Sequence, residues 1–136
     1  AIIHAGAKNS CKVKVNWIHA EEINNTNASE KLAGLKGVLV APGFGDRGME
    51  GKIETIKHLR ENNIPFFGIC LGMQTAVIEY SRNVLGLKDA NSTEMNPDTS
   101  APVINLMAED DESIRDNIYK ALSNPVPRYM IGNNED

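Results

Sequence analysis

From Gly37 onward the chain alternates between short apolar runs and segments in which apolar residues recur every three or four positions. Gly37-Val38-Leu39-Val40-Ala41 is apolar throughout, as in a parallel strand buried on both faces, and Pro42 ends it. Beyond the loop Gly43-Phe44-Gly45-Asp46-Arg47-Gly48, the spacing of Met49, Ile53, Ile56 and Leu59 among charged residues predicts a helix that stops near Asn62-Asn63. Ile64 to Ile69 then reads as a second buried strand. Met73, Val77, Tyr80 and Val84 follow at helical spacing until Gly86. Upstream, Lys12 to Ile18 alternates polar and apolar residues through Val13, Val15 and Trp17, which predicts a strand with one covered face, and Glu21 to Glu30 is polar.

Strand, helix, strand, helix predicts parallel strands joined by right-handed crossovers, in a three-layer α/β domain with a mostly parallel sheet and helices on both faces. In such sheets, sites form at the carboxyl ends of the strands. Both the 43–48 loop and the run Gly68-Ile69-Cys70-Leu71-Gly72-Met73-Gln74 follow directly on strands, so both belong on that rim.

The second of these places one cysteine between two glycines at a strand-to-helix turn. Such a turn holds its central residue in a strained backbone conformation and leaves it exposed, and the helix N-terminus favours thiolate over thiol. Cys70 is therefore the candidate nucleophile; the competing reading is a small buried apolar residue beside two turn glycines. The 43–48 loop matches Gly-x-Gly-x-x-Gly, but the helix it feeds opens on Met-Glu-Gly, and Asp46 would lie close to a pyrophosphate. A loop that aims a backbone N–H at a developing oxyanion fits better beside a nucleophile.

At 136 residues, 41% hydrophobic and 24% charged, the chain has the size of one domain. Its net charge of -4, with no basic block, argues against a nucleic-acid surface. No apolar run approaches a membrane span and no signal-peptide pattern opens the chain, so a cytoplasmic protein is expected. Cys11 and Cys70 are too few for a disulfide framework and lack zinc-site spacing, so no metal is expected. Cys11 reads as a structural or incidental thiol.

Four segments, in order and spacing, closely resemble the class I (triad-type) glutamine amidotransferase domain of the CTP synthase family, which has a flavodoxin-like fold. They are Ala41-Pro42-Gly43-Phe44-Gly45-Asp46-Arg47-Gly48, Glu61-Asn62-Asn63-Ile64-Pro65, Gly68-Ile69-Cys70-Leu71-Gly72-Met73-Gln74 and Asn91-Ser92-Thr93-Glu94. The Gly-x-Cys-x-Gly elbow is common to all class I amidotransferases; the Gly-Phe-Gly-x-Arg-Gly loop and Asn-Ser-Thr-Glu narrow the match. The likeness runs from the first residues to about Leu106.

The resemblance implies a glutaminase that supplies ammonia for ATP-dependent amination of UTP to CTP. Cys70 would form a glutamyl thioester, the N–H groups of Gly43 and Leu71 would hold the oxyanion, Phe44 would wall the glutamine pocket, and Gln74 and Glu94 would hold the α-amino and carboxylate end. It further implies L-glutamine as substrate and no cofactor in this domain. ATP and Mg2+ would be used in an N-terminal synthetase domain of the same polypeptide, absent from these residues, and the assembly would be a tetramer.

One family feature is missing from residues 1–136. The His-x-Glu pair that completes the triad has no counterpart, and His4, His19 and His58 are each expected at the surface. The family's Gly-Gly-Thr-Met-Arg-Leu-Gly segment is also absent, with Arg128-Tyr129 a remnant at best. Residues 107–136 read as discontinuous fragments and the domain as incomplete, because Asp110 to Asn117 lacks turn logic. The alternatives are a pseudo-amidotransferase or regulatory module that keeps the elbow without its dyad, and a class I amidotransferase with another acceptor.

Overall fold

The computed structural model describes residues 1–105. The expectations for residues 107–136, Arg128-Tyr129 included, lie outside them. The elements run α1 (Ile2–Lys8), a 3-10 turn (Ala20–Glu22), α2 (Ala28–Lys31), β1 (Val38–Val40), α3 (Met49–Glu61), β2 (Phe66–Gly68), α4 (Leu71–Asn83), β3 (Ala90–Ser92) and β4 (Ala101–Ile104).

β1 and β2 pair in parallel with Val38 opposite Phe66 and Val40 opposite Gly68, and α3 is the crossover between them. β3 and β4 form a second parallel pair, with a register shift between Asn91 and Ser92. The strand–helix alternation read from the apolar runs is thus the observed one. The strands are shorter than those runs, because only three residues of each find a ladder partner.

α3 follows its sequence pattern closely. Met49, Ile53, Ile56 and Leu59 are all buried, and the helix ends at Asn62, after which Asn63 turns out of the helix with φ 52°. α4 forms where its apolar spacing predicts, yet the spacing marks the wrong face. Met73, Val77, Tyr80 and Val84 are exposed, whereas Leu71, Gly72, Thr75, Ile78, Glu79 and Ser81 are buried. The polar members of the buried face are satisfied locally: Thr75 Oγ1 donates to the Gly72 carbonyl at 2.9 Å. Glu79, 1% exposed, accepts from Arg60 of α3 at 2.8–3.2 Å and from Asn83 Nδ2 at 3.2 Å. The Arg60 guanidinium is held above its ordinary pKa by that hydrogen-bonded carboxylate. A second pair, Arg82 with Glu50 at 3.0 Å, joins the same helices, while Arg82 Nε donates to the Ala90 carbonyl and so ties α4 to β3. Met49, Ile53, Leu71 and Ile78 form the core between them, with Met95, Val103 and Ile104 packed against it.

Two expectations are corrected. Lys12 to Ile18 is not a strand: the segment is irregular, and Trp17 is 90% exposed. Alternation produces a strand only against a partner edge, and no described strand pairs with this one. The apolar run at Leu39 is not buried on both faces either, since Leu39 and its cross-strand partner Phe67, 63% exposed, project from the same open face. A helix layer on that side is not among the described residues.

Candidate active site

The turn from β2 into α4 is built from backbone contacts that only glycine permits. A Cβ on Gly68 would lie 2.6 Å from the Gly72 carbonyl group, and one on Gly72 would lie 2.2 Å from the Val40 carbonyl oxygen. Both approaches draw the start of α4 onto the ends of β1 and β2, a spacing no side chain could occupy. Ile69 N–H donates to that same Val40 carbonyl at 3.1 Å, which fixes the last residue before the cysteine to the neighbouring strand.

Cys70 then carries the bend, with φ 54° and ψ -113°, as the N-cap of α4. A non-glycine residue in this region is strained, and it persists only where its surroundings impose it. The consequence is placement: the thiol is exposed at the head of a 13-residue helix. Met73 and Gln74 N–H both donate to the Cys70 carbonyl, at 3.0 and 3.1 Å, closing the first helical turn beneath it. The competing reading of Cys70 as a buried apolar residue is thereby excluded. Cys11 is exposed as well, its Sγ 3.2 Å from the Asn9 carbonyl oxygen.

Gly43 sits beside this turn. The position of a Cβ on Gly43 is 3.5 Å from Leu71 Cδ2, so the loop after β1 and the residue after the cysteine are neighbours. Among the described residues, neither the Gly43 nor the Leu71 N–H donates a hydrogen bond to the protein. Two main-chain donors on adjacent elements are thus uncommitted near an exposed thiol. The loop itself turns on Gly45 and Gly48, at φ 72° and 71°, and Arg47 pairs with Glu21 of the 3-10 turn. That link, and the tight seat of Gly51 on the Ala20 carbonyl, anchor the base of the loop. Sequence reading missed both, because each joins segments some 26–31 positions apart in the chain.

The remaining predicted residues are more dispersed. Phe44, 92% exposed, stands out from the loop. Gln74 is half-buried on the first turns of α4. Glu94 is exposed in the turn after β3, where its N–H donates to Ser92 Oγ at 3.2 Å. β3 rests on α4, but no described hydrogen bond joins Glu94, Gln74 and Cys70 to one another. Nor does any described hydrogen bond link His4, His19 or His58 to Cys70; His58 Nδ1 lies 3.3 Å from Asn62 Nδ2.

The family model "Glutamine amidotransferase class-I" matches residues 1–125. The chain is 69% identical over 109 residues to a CTP synthase of Flavobacterium johnsoniae, covering 80% of this chain and 20% of that protein. To a CTP synthase of Cytophaga hutchinsonii it is 66% identical over 107 residues, 79% of this chain and 20% of the relative. Among solved structures, the Trypanosoma brucei CTPS glutaminase domain with bound acivicin superposes with a TM-score of 0.74 at 38% identity, covering 82% of this chain and 43% of that one. The chain therefore spans about a fifth of the length of these curated relatives.

Proposed function

The chain belongs to the class I glutamine amidotransferase family, and on that premise we propose that it is the ammonia-supplying glutaminase part of a CTP synthase. The observation that carries the reading is the exposed Cys70 thiol on a strained turn at the head of α4, with Leu71 packed beside Gly43.

In this reading the Cys70 sulfur attacks the carboxamide carbon of L-glutamine. The C–N bond of the tetrahedral adduct breaks, the thiol proton leaves with the nitrogen as ammonia, and a glutamyl thioester remains. Water then cleaves the thioester to glutamate and restores the thiol. The N–H groups of Gly43 and Leu71 stabilise the oxyanion in both steps, each worth about 2.7–4 kcal/mol of barrier. Phe44 closes over the substrate side chain, while Gln74 and Glu94 receive its α-amino and carboxylate end, a carboxylate suiting an ammonium. The ammonia is used elsewhere in the longer polypeptide, in a synthetase domain where ATP and Mg2+ act on UTP. A cytoplasmic homotetramer completes the proposal. No helix among the described residues is long and apolar enough to cross a membrane.

Cys70→Ala in the intact enzyme tests the assignment. Glutamine-dependent CTP formation is expected to vanish while formation from free ammonia continues, and equal loss of both would contradict it.

A further inference from the structure

α3 carries three basic residues besides its histidine, and two of them have carboxylate partners: Lys57 lies 3.9 Å from Glu54, and Arg60 holds Glu79. Lys52 is different. Among the described residues it has no carboxylate within 4.0 Å and its ammonium makes no hydrogen bond, although it is half-buried. It stands in the first turns of α3, its N–H donating to the Gly48 carbonyl at 3.0 Å, where the positive end of the macrodipole disfavours a cation. Neither a salt bridge nor the helix accounts for this lysine.

Its ammonium goes to Gly43. Lys52 Nζ lies 3.3 Å from the point a Gly43 Cβ would occupy, and the same point is 3.5 Å from Leu71 Cδ2. The vacancy left by the missing side chain of Gly43 is therefore bordered by the lysine's charge and by the residue that follows the cysteine. The two main-chain donors proposed for the oxyanion belong to Gly43 and Leu71, on either side of this contact.

We propose that Lys52 is a positioning residue of the oxyanion loop. Its ammonium, packed against Gly43, holds this end of the loop beside Leu71 and so keeps the Gly43 N–H aimed at the substrate. It also adds positive potential where the oxyanion carries negative charge, and a fixed charge there helps the more charged transition state over the neutral amide. Loss of the charge should therefore lower turnover and leave glutamine binding nearly unchanged. The inference rests on the glutaminase reading above and deepens it.

The test uses the intact enzyme, with wild type and Cys70→Ala assayed beside Lys52→Gln, Lys52→Met and Lys52→Arg. Glutamine-dependent kcat in Lys52→Gln and Lys52→Met is expected to fall about tenfold, less than the 10²–10³ typical for removing a direct donor. KM should stay within about threefold, the ammonia-dependent rate should not change, and Lys52→Arg should recover most of the loss. If one neutral variant fails to fold, the other and the Arg variant still decide. Neutral variants with kcat within about twofold of wild type would overturn the Lys52 role alone. So would an Arg variant as slow as they are with an equally lowered unfolding midpoint. A wild type with no glutamine-dependent turnover, or a Cys70→Ala variant that keeps it, would instead overturn the glutaminase reading.

Discussion

Gly72→Ala is the sharpest probe of how Cys70, the proposed nucleophile, is placed. The added methyl would meet the Val40 carbonyl oxygen at 2.2 Å, the Val40 carbonyl carbon at 3.0 Å and the Val40 Cβ at 3.2 Å. All three belong to β1 or to its first side-chain carbon, and no flexible side-chain end can swing aside. Restoring ordinary contact requires α4 and β1 to separate by about 1 Å, and a shift of that size at reacting groups costs about 10²-fold in rate. Stability should change far less. Overpacking costs about 1–3 kcal/mol, and Ala in place of Gly in a helix returns about 1, so the net loss is about 0–2 kcal/mol. The assay pairs glutamine-dependent turnover with urea unfolding of the same preparation. Gly86→Ala serves as control: its φ is 75° with nothing within 4 Å, so the cost is about 1–2 kcal/mol of backbone strain with turnover intact. Should Gly72→Ala retain turnover within about threefold of wild type, the argument that this close approach sets the site would fail.

Other outcomes follow from the ion pairs. Arg60→Met removes the guanidinium from the buried Glu79, and is expected to cost on the order of 2–4 kcal/mol by chemical denaturation; Arg60→Met with Glu79→Met should recover much of it, and a single variant as stable as wild type would refute the pairing. Asp89 accepts from the Ser100 N–H at 2.6 Å and from the Ser100 hydroxyl at 2.7 Å, and these bonds hold its carboxyl below the ordinary range. A depressed folded-state pKa stabilises the fold above the unfolded value of about 3.9 and loses that contribution as pH falls through the folded one. Asp89→Asn should therefore unfold at a lower midpoint than wild type at pH 7, with the gap narrowing below about pH 4; a gap independent of pH would contradict this. Gly51→Ala would drive a methyl into the Ala20 carbonyl and should loosen the 3-10 turn from α3, read as a lowered unfolding midpoint.

The apolar runs Val38–Val40 and Phe66–Gly68 and the turn glycines were legible because local composition encodes them. So was α3, whose four apolar side chains, Met49, Ile53, Ile56 and Leu59, are all buried. α4 was legible as a helix but not in orientation. Its stripe Met73, Val77, Tyr80 and Val84 is as regular as the buried one of α3, while the face it buries contains Thr75, Glu79 and Ser81. A glutamate becomes a core residue only when an arginine from another helix is brought to it, and nothing within α4 announces Arg60. Lys12 to Ile18 failed for the converse reason, a strand pattern with no described edge to pair with.

Sequence alone singled out Cys70, because a cysteine between two glycines at a strand end marks a sharp turn into a helix, and it pointed to the loop that lies beside it. Only tertiary structure decided why the glycines are needed, since each reserves space for backbone from a different element: Gly68 for α4, Gly72 for β1. It alone also brought Lys52 to Gly43 and Glu21 to Arg47, because proximity across a fold depends on how helices pack, and no local pattern of residues records that.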